Sequence, residues 1–154
     1  MITIQTLRFG EIEVKASDIV RFPEGLPGFE ELISFVIVKP DPEIPFSFLQ
    51  SVEDGERAFI IVSPFVFYPD YEFHITDEVE RELGFESEQD VLVWNIVSIR
   101  ESLEDATINL LAPVLLNAKK GLGKQVILHG TDYRVKHKLI SEAVQTAPVE
   151  GGRD

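Results

Sequence analysis

The chain is 154 residues long, enough for one domain with a buried core, and carries 27 Asp and Glu against 14 Lys and Arg for a net charge of −13. It has no cysteine, which excludes disulfides, thiolate zinc sites and thiol nucleophiles. The charge is lopsided, with 23 acids and 7 bases over residues 1–118 but 4 acids and 7 bases over 119–154, so the acidic body repels phosphate backbones and suits basic proteins as partners.

Apolar residues recur at period two, the pattern of half-buried strands. Ile2, Ile4 and Leu7 begin a first strand, and no basic leader followed by an apolar block argues for a signal peptide there. Gly10 turns the chain into a second strand ending at Val14, and residues 19–22 form another. Residues 23–28 read as a double turn, because two prolines fix φ and two glycines admit positive φ. Strands are expected at 33–38, 46–51 and 58–62, the last two joined by the polar loop 53–56. The best helix covers 76–83: Thr76 is placed to cap it, Asp77, Glu78 and Glu80 sit where the macrodipole favours anions, and Gly84 is placed to end it. Strands follow at 91–99, 107–111, 114–117 and 125–129, the last pair flanking a glycine-bearing turn at 119–124. A short amphipathic piece at 139–144 precedes a Pro/Gly tail. The expected architecture is mainly β: a single domain over 1–145, with about ten short strands and one or two short helices closed into a barrel-like folded sheet, then a flexible tail over 146–154. No stretch approaches the roughly 20 apolar residues of a membrane helix, and the cytoplasm is the expected location.

The residues offer little catalytic chemistry. His74, His129 and His137 lack the spacing of a zinc site and are expected to be exposed or singly hydrogen-bonded. No G-x-S-x-G elbow surrounds any serine, and Ser51 and Ser63 read as strand-edge residues. Gly25-Leu26-Pro27-Gly28 is no phosphate cradle, since Pro27 removes a donor and no Gly-Lys-Ser/Thr follows. The run 77–90 holds seven acids and one base, Arg81, without the Asp/Asn alternation and turn glycine of a calcium loop. It reads as a solvated helix face or as a landing surface for a basic partner. Lys119, Lys120, Lys124, Arg134, Lys136 and Lys138, interleaved with Tyr133, superficially resemble an RNA patch. The acidic body nearby favours instead the docking of an acidic or amphipathic protein segment. Residues 64–73 pack five aromatics into ten residues, half expected in the core and the rest as an exposed anchor. No catalytic residue, metal ligand, cofactor or small-molecule substrate is expected.

Taken together, several segments resemble the flagellar assembly factor FliW family. They are Phe22-Pro23-Glu24-Gly25-Leu26-Pro27-Gly28-Phe29-Glu30, Pro45-Phe46-Ser47-Phe48-Leu49-Gln50-Ser51 and Asp70-Tyr71-Glu72-Phe73, then Asn109-Leu110-Leu111-Ala112-Pro113-Val114 with Asn117, and Gln125-Val126-Ile127-Leu128. The loop 53–56 and the tail after Thr146 match no motif. The resemblance implies a cytoplasmic, non-enzymatic, barrel-like protein that binds the translational repressor CsrA and stops it silencing flagellin messenger RNA. It also implies flagellin as a second partner, which displaces CsrA and so couples flagellin synthesis to export. The residues expected to meet a partner are Phe46, Phe48, Leu49, Gln50, Ser51, Tyr71, Glu72 and Phe73 as edge or loop groups, with Glu78 and Glu82 on the acidic helix. Two other readings stand beside this one: a flagellin chaperone with no role in translation, and a small metal-dependent hydrolase using the histidines and an acid.

Overall fold

Strands this short cannot each bury a face alone, and here they do so by closing on one another. The computed structural model describes residues 1–140. Its elements are β1 (Ile2–Thr6), β2 (Gly10–Val14), β3 (Val20–Arg21), β4 (Ser34–Val38), β5 (Ser47–Ser51), β6 (Ala58–Val62), α1 (Pro64–Phe67), α2 (Asp77–Leu83), β7 (Val91–Ser98), β8 (Thr107–Ile108), β9 (Val114–Asn117), β10 (Leu122–Gln125) and β11 (His137–Lys138). Strands β7-β6-β5-β4-β3-β10-β9 neighbour one another in that order, and β9 pairs back onto β7, which closes a barrel. All pairings in it are antiparallel except β3 with β10. The eight-residue β7 is long enough to share one edge, giving Val91–Trp94 to β9 and Val97–Ser98 to β8. β11 pairs with β8 outside the barrel.

Alternation sorts side chains to the two faces of the wall. Val114 and Leu116 of β9 join Phe22, Phe35, Leu49 and Ile61 in the barrel interior, while Leu115 points the other way to Val79 and Leu83 of α2. A second outer cluster holds Val62, Tyr71, Val97, Ile108, Leu110 and Leu139. The β1–β2 hairpin lies over the outside of β5. Its Arg8 guanidinium sits 4.9 Å from the Phe48 ring centre, Phe9 meets the same ring edge-on at 5.2 Å, and Leu7 donates to the Gly55 carbonyl. A Cβ on Gly55 would stand 2.0 Å from the Gln5 carbonyl oxygen, so only glycine admits the hairpin this close.

The mainly β barrel agrees with the sequence reading, with differences in detail. The strand expected at 107–111 stops at Ile108, because the Asn109 side chain accepts from the Leu111 and Ala112 N–H groups and turns the chain out of the ladder. The strand expected at 125–129 lies instead at Leu122–Gln125. Asn117 Oδ1 accepts from the Lys119 and Lys120 N–H groups and tightens the turn, so pairing with β9 resumes at once. Beyond Gln125 the partner is Pro113, which takes a bond from Val126 but has no N–H to return, so regular pairing gives way to a single further bond from the Leu128 N–H to the Leu111 carbonyl. α1 and β11 were not anticipated. Of the piece expected at 139–144 only Leu139 and Ile140 are described, and neither is helical; the boundary at 145 and the tail lie outside the described residues. No described helix is long and apolar enough to cross a membrane.

Candidate functional site on both sides of helix α2

α2 forms where its caps and its apolar pair dictate. Thr76 Oγ1 accepts from the Val79 N–H at 3.2 Å, and Gly84, at φ 69°, ends the helix as the Gly84 and Phe85 N–H groups return to the Arg81 and Glu80 carbonyls. Val79 and Leu83, four residues apart, seat the helix on Leu115. Buried Asn117 donates from Nδ2 to the Leu83 carbonyl at 2.9 Å and satisfies an acceptor that the helix leaves open. Asp77, Glu78, Glu80, Arg81 and Glu82 are left on the outer face, all exposed.

A cleft of about 470 Å³ lies on one side of α2, between Glu82 and Leu83, the loop residues Pro23, Glu24, Gly25, Pro27 and Glu30, and Gly123, Lys124 and Gln125 of β10. The loop doubles back tightly: Gly25 has φ 68°, and a Cβ there would stand 2.5 Å from Glu30 Cα. Its buried anchors are Phe22 and Leu26, and Gly123 gives way to the Phe22 ring, 2.7 Å from where a Cβ would be. Lys124 Nζ bridges the mouth, 2.8 Å from Glu82 Oε1 and 3.2 Å from Glu24 Oε2. The hydrogen bond to Glu82 is the main cause of its raised pKa, so the ammonium stays charged.

A second cleft, of about 480 Å³, lies on the other side. It is lined by Phe73, His74 and Ile75 ahead of the helix, Glu80 on it, Phe85, Glu86, Ser87 and Glu88 after it, and Val91 at the start of β7. Phe73, Ile75, Phe85 and Val91 pack on the cluster beneath α2 and give this cleft an apolar floor. Beside it Asp90 accepts from the Glu86 and Ser87 N–H groups, which, with Lys119 at 3.5 Å, hold its carboxyl below the usual carboxylate range.

Of the residues expected to meet a partner, Leu49, Gln50 and Ser51 are 0% exposed, a correction to their reading as edge groups. β5 is a central strand. Leu49 faces the barrel interior, Gln50 Nε2 donates to the Ser51, Gly55 and Arg57 carbonyls, and Ser51 Oγ accepts from the Asp54 N–H. Tyr71 is also buried, in the outer cluster. Its hydroxyl donates to the Leu110 carbonyl at 2.7 Å, and burial pushes its pKa up to about 12. Phe46 and Phe48 are half-buried, the first against Phe67 and the second under the hairpin. Glu72, Glu78 and Glu82 are exposed and Phe73 is half-buried; Phe73 lines the second cleft and Glu82 the first. In the aromatic run Phe65 is exposed and Phe67 half-buried.

The basic segment is not the separate patch its sequence suggests. Lys124 is paired as described, Lys119 and Lys120 lie 4.0 and 3.9 Å from Glu86, and only Arg134, Lys136 and Lys138 carry no ion pair among the described residues. Asp77, Glu78, Glu80 and Glu88 also lack an ion pair among them, so negative charge remains uncompensated around α2. His74 and His129 are exposed, and half-buried His137 accepts from the Arg134 N–H at Nε2. Among the described residues no three His, Asp or Glu side chains are placed to hold a metal ion. The contribution of Glu24, Glu30 and Lys124 was missed. Glu24 lies in the double turn, Glu30 just after it and Lys124 in the basic segment, and nothing local in the sequence joins them.

The fold and these surfaces define an acidic β-barrel whose clefts lie on the outside of its wall, on both sides of one short helix. A family model described as FliW protein matches residues 3–139, and the chain belongs to the FliW family. The flagellar assembly factor FliW of Alkaliphilus metalliredigens (strain QYMF) is 42% identical over 160 residues, covering 98% of this chain and 99% of the relative. That of Desulfitobacterium hafniense (strain DSM 10664 / DCB-2) is 44% identical over 149 residues, covering 97% and 98%. A crystal structure of the flagellar assembly factor FliW matches with a TM-score of 0.86 at 41% identity, covering 92% of this chain and 99% of that one.

Proposed function

We propose that this protein works in the cytoplasm as a non-catalytic binding protein of flagellum assembly, which sequesters the translational repressor CsrA and also binds flagellin. The observation that carries the reading is the uncompensated acid around α2: Asp77, Glu78, Glu80 and Glu88 have no ion pair among the described residues, on a chain of net charge −13. An RNA-binding repressor must present basic surface, and this face complements it. Exposed Glu72, Glu78 and Glu82, with half-buried Phe73 in the second cleft, are the proposed contacts. Leu49, Gln50, Ser51 and Tyr71 hold the barrel that presents them.

The same charge weakens RNA binding without covering the RNA groove. One charge pair roughly 10 Å apart in water is worth about 0.4 kcal/mol before screening. Several acids acting on several phosphates within a Debye length of about 8 Å add up to a few kcal/mol, or roughly tenfold to hundredfold in affinity. Flagellin binding then returns the repressor to its message, which links filament export to flagellin synthesis.

The test is a titration of purified CsrA and of flagellin, each followed by calorimetry, with flagellin-leader RNA competing. The reading expects both proteins to bind and RNA to be released from CsrA. Binding of flagellin alone would reassign the protein as a flagellin chaperone without a role in translation.

A further inference from the structure

We infer that the cleft formed by residues 73–75, α2 and the start of β7 seats a partner's arginine beside an aliphatic side chain. The inference rests on the reading that the acidic body docks a basic protein, and it names where and how one side chain is gripped. The two clefts are of nearly equal volume, about 470 and 480 Å³, and both have acid rims, yet they differ in what already fills them. In the first, the Lys124 ammonium lies in the cleft itself and holds Glu82 at 2.8 Å and Glu24 at 3.2 Å, which leaves only Glu30 without an ion pair among its acids. In the second, Glu80 and Glu88 have no ion pair among the described residues. Glu86 has only distant, exposed lysines, at 3.9 and 4.0 Å.

The floor chooses among cations. Phe73, Ile75 and Phe85 are apolar and fixed on the cluster beneath α2, a poor setting for a hydrated metal ion, and no described acid group is arranged for one. Guanidinium is weakly hydrated, stacks on aromatic faces and offers a planar fork to carboxylates, whereas an ammonium keeps its water. The volume falls in the range of small-ligand pockets and has room for an arginine with an aliphatic neighbour. The charged groups facing the cleft are Glu80, Glu86 and Glu88, with His74 on the rim, so the surplus is negative.

The probe is a synthetic Gly-Arg-Leu-Arg-Gly peptide with blocked ends, titrated into the isotopically labelled full chain and followed by amide shifts. Shifts are expected at 73–75 and 85–91. The double variant Glu80→Gln/Glu88→Gln should bind about tenfold more weakly, whereas Glu13→Gln/Glu43→Gln, with the same loss of charge elsewhere, should stay within about twofold. A peptide with citrulline for arginine should lose binding. The inference is overturned if the citrulline peptide binds equally, if the shifts centre on 23–27, or if millimolar peptide moves nothing. Failure here with CsrA still bound by the protein removes the cleft and leaves the proposed function. Peptide seated in the cleft with CsrA unbound does the reverse.

Discussion

Asn117 is the side chain on which the presentation of α2 most depends. It is buried, donates to the Leu83 carbonyl at 2.9 Å, and accepts from the Lys119 and Lys120 N–H groups at 3.1 and 3.3 Å. Asn117→Ala leaves the Leu83 carbonyl buried without this partner, a loss of about 1–3 kcal/mol, and removes two turn bonds that water can partly replace, about 0.5–1 kcal/mol each. We expect the variant to lose about 3 kcal/mol. With a urea slope of about 1.5 kcal/mol per molar, its unfolding midpoint falls by about 2 M at unchanged slope. Amides of 80–85 should also exchange about a hundredfold faster than in the parent, because α2 is held to β9 by this residue and by Val79 and Leu83. A midpoint shift below about 0.5 M, or exchange acceleration spread evenly over the barrel, would refute the assignment of Asn117 as the tie between helix and wall.

Gly25→Ala should destabilise the chain by at least about 2 kcal/mol in a thermal melt, since φ is 68° and the new Cβ meets the Glu30 backbone at 2.5 Å; an unchanged melt would mean the loop is not built as described. Thr76→Ala should cost about 1 kcal/mol through loss of the cap on the Val79 N–H, and Thr76→Ser should restore most of it, read by urea denaturation. His137 has its pKa depressed, first by burial and then by Arg134, and its neutral ring accepts from the Arg134 N–H. The unfolded chain therefore binds this proton more readily. The stability that His137 contributes is present above about pH 6.5 and is lost as pH falls through its lower folded value. Urea midpoints at pH 7.5 and 5.5 should show a drop that His137→Phe reduces.

What the sequence made legible was what neighbouring residues decide. β4 and β6 announce themselves as short apolar, β-branched runs bounded by turn residues, and α2 by Thr76, its acidic first turn and Gly84. What stayed hidden depends on distant partners. Ser47-Phe48-Leu49-Gln50-Ser51 reads as a half-exposed strand, but closure of the barrel buries Leu49 and Ser51 on its inner face while the β1–β2 hairpin and the 53–56 loop cover Gln50 on the outer one. Lys124 finds Glu24 across a separation of 100 residues, which takes it out of the basic segment and into an acidic cleft. Of the candidate site, the acidic run and Phe73 were visible, but the two cavities flanking α2 exist only once β9 and β10 close the barrel.

The affinity of CsrA for flagellin-leader RNA, measured at low salt with and without saturating amounts of this protein, tests most directly whether the acid around α2 excludes RNA. The parent chain should weaken RNA binding by about tenfold to hundredfold, an effect that shrinks as salt rises. The variant Asp77→Asn/Glu78→Gln/Glu80→Gln/Glu88→Gln should lose most of it while remaining folded. Equal displacement of RNA by parent and variant, at every salt concentration, would contradict the claim that the uncompensated acid around α2 does the excluding.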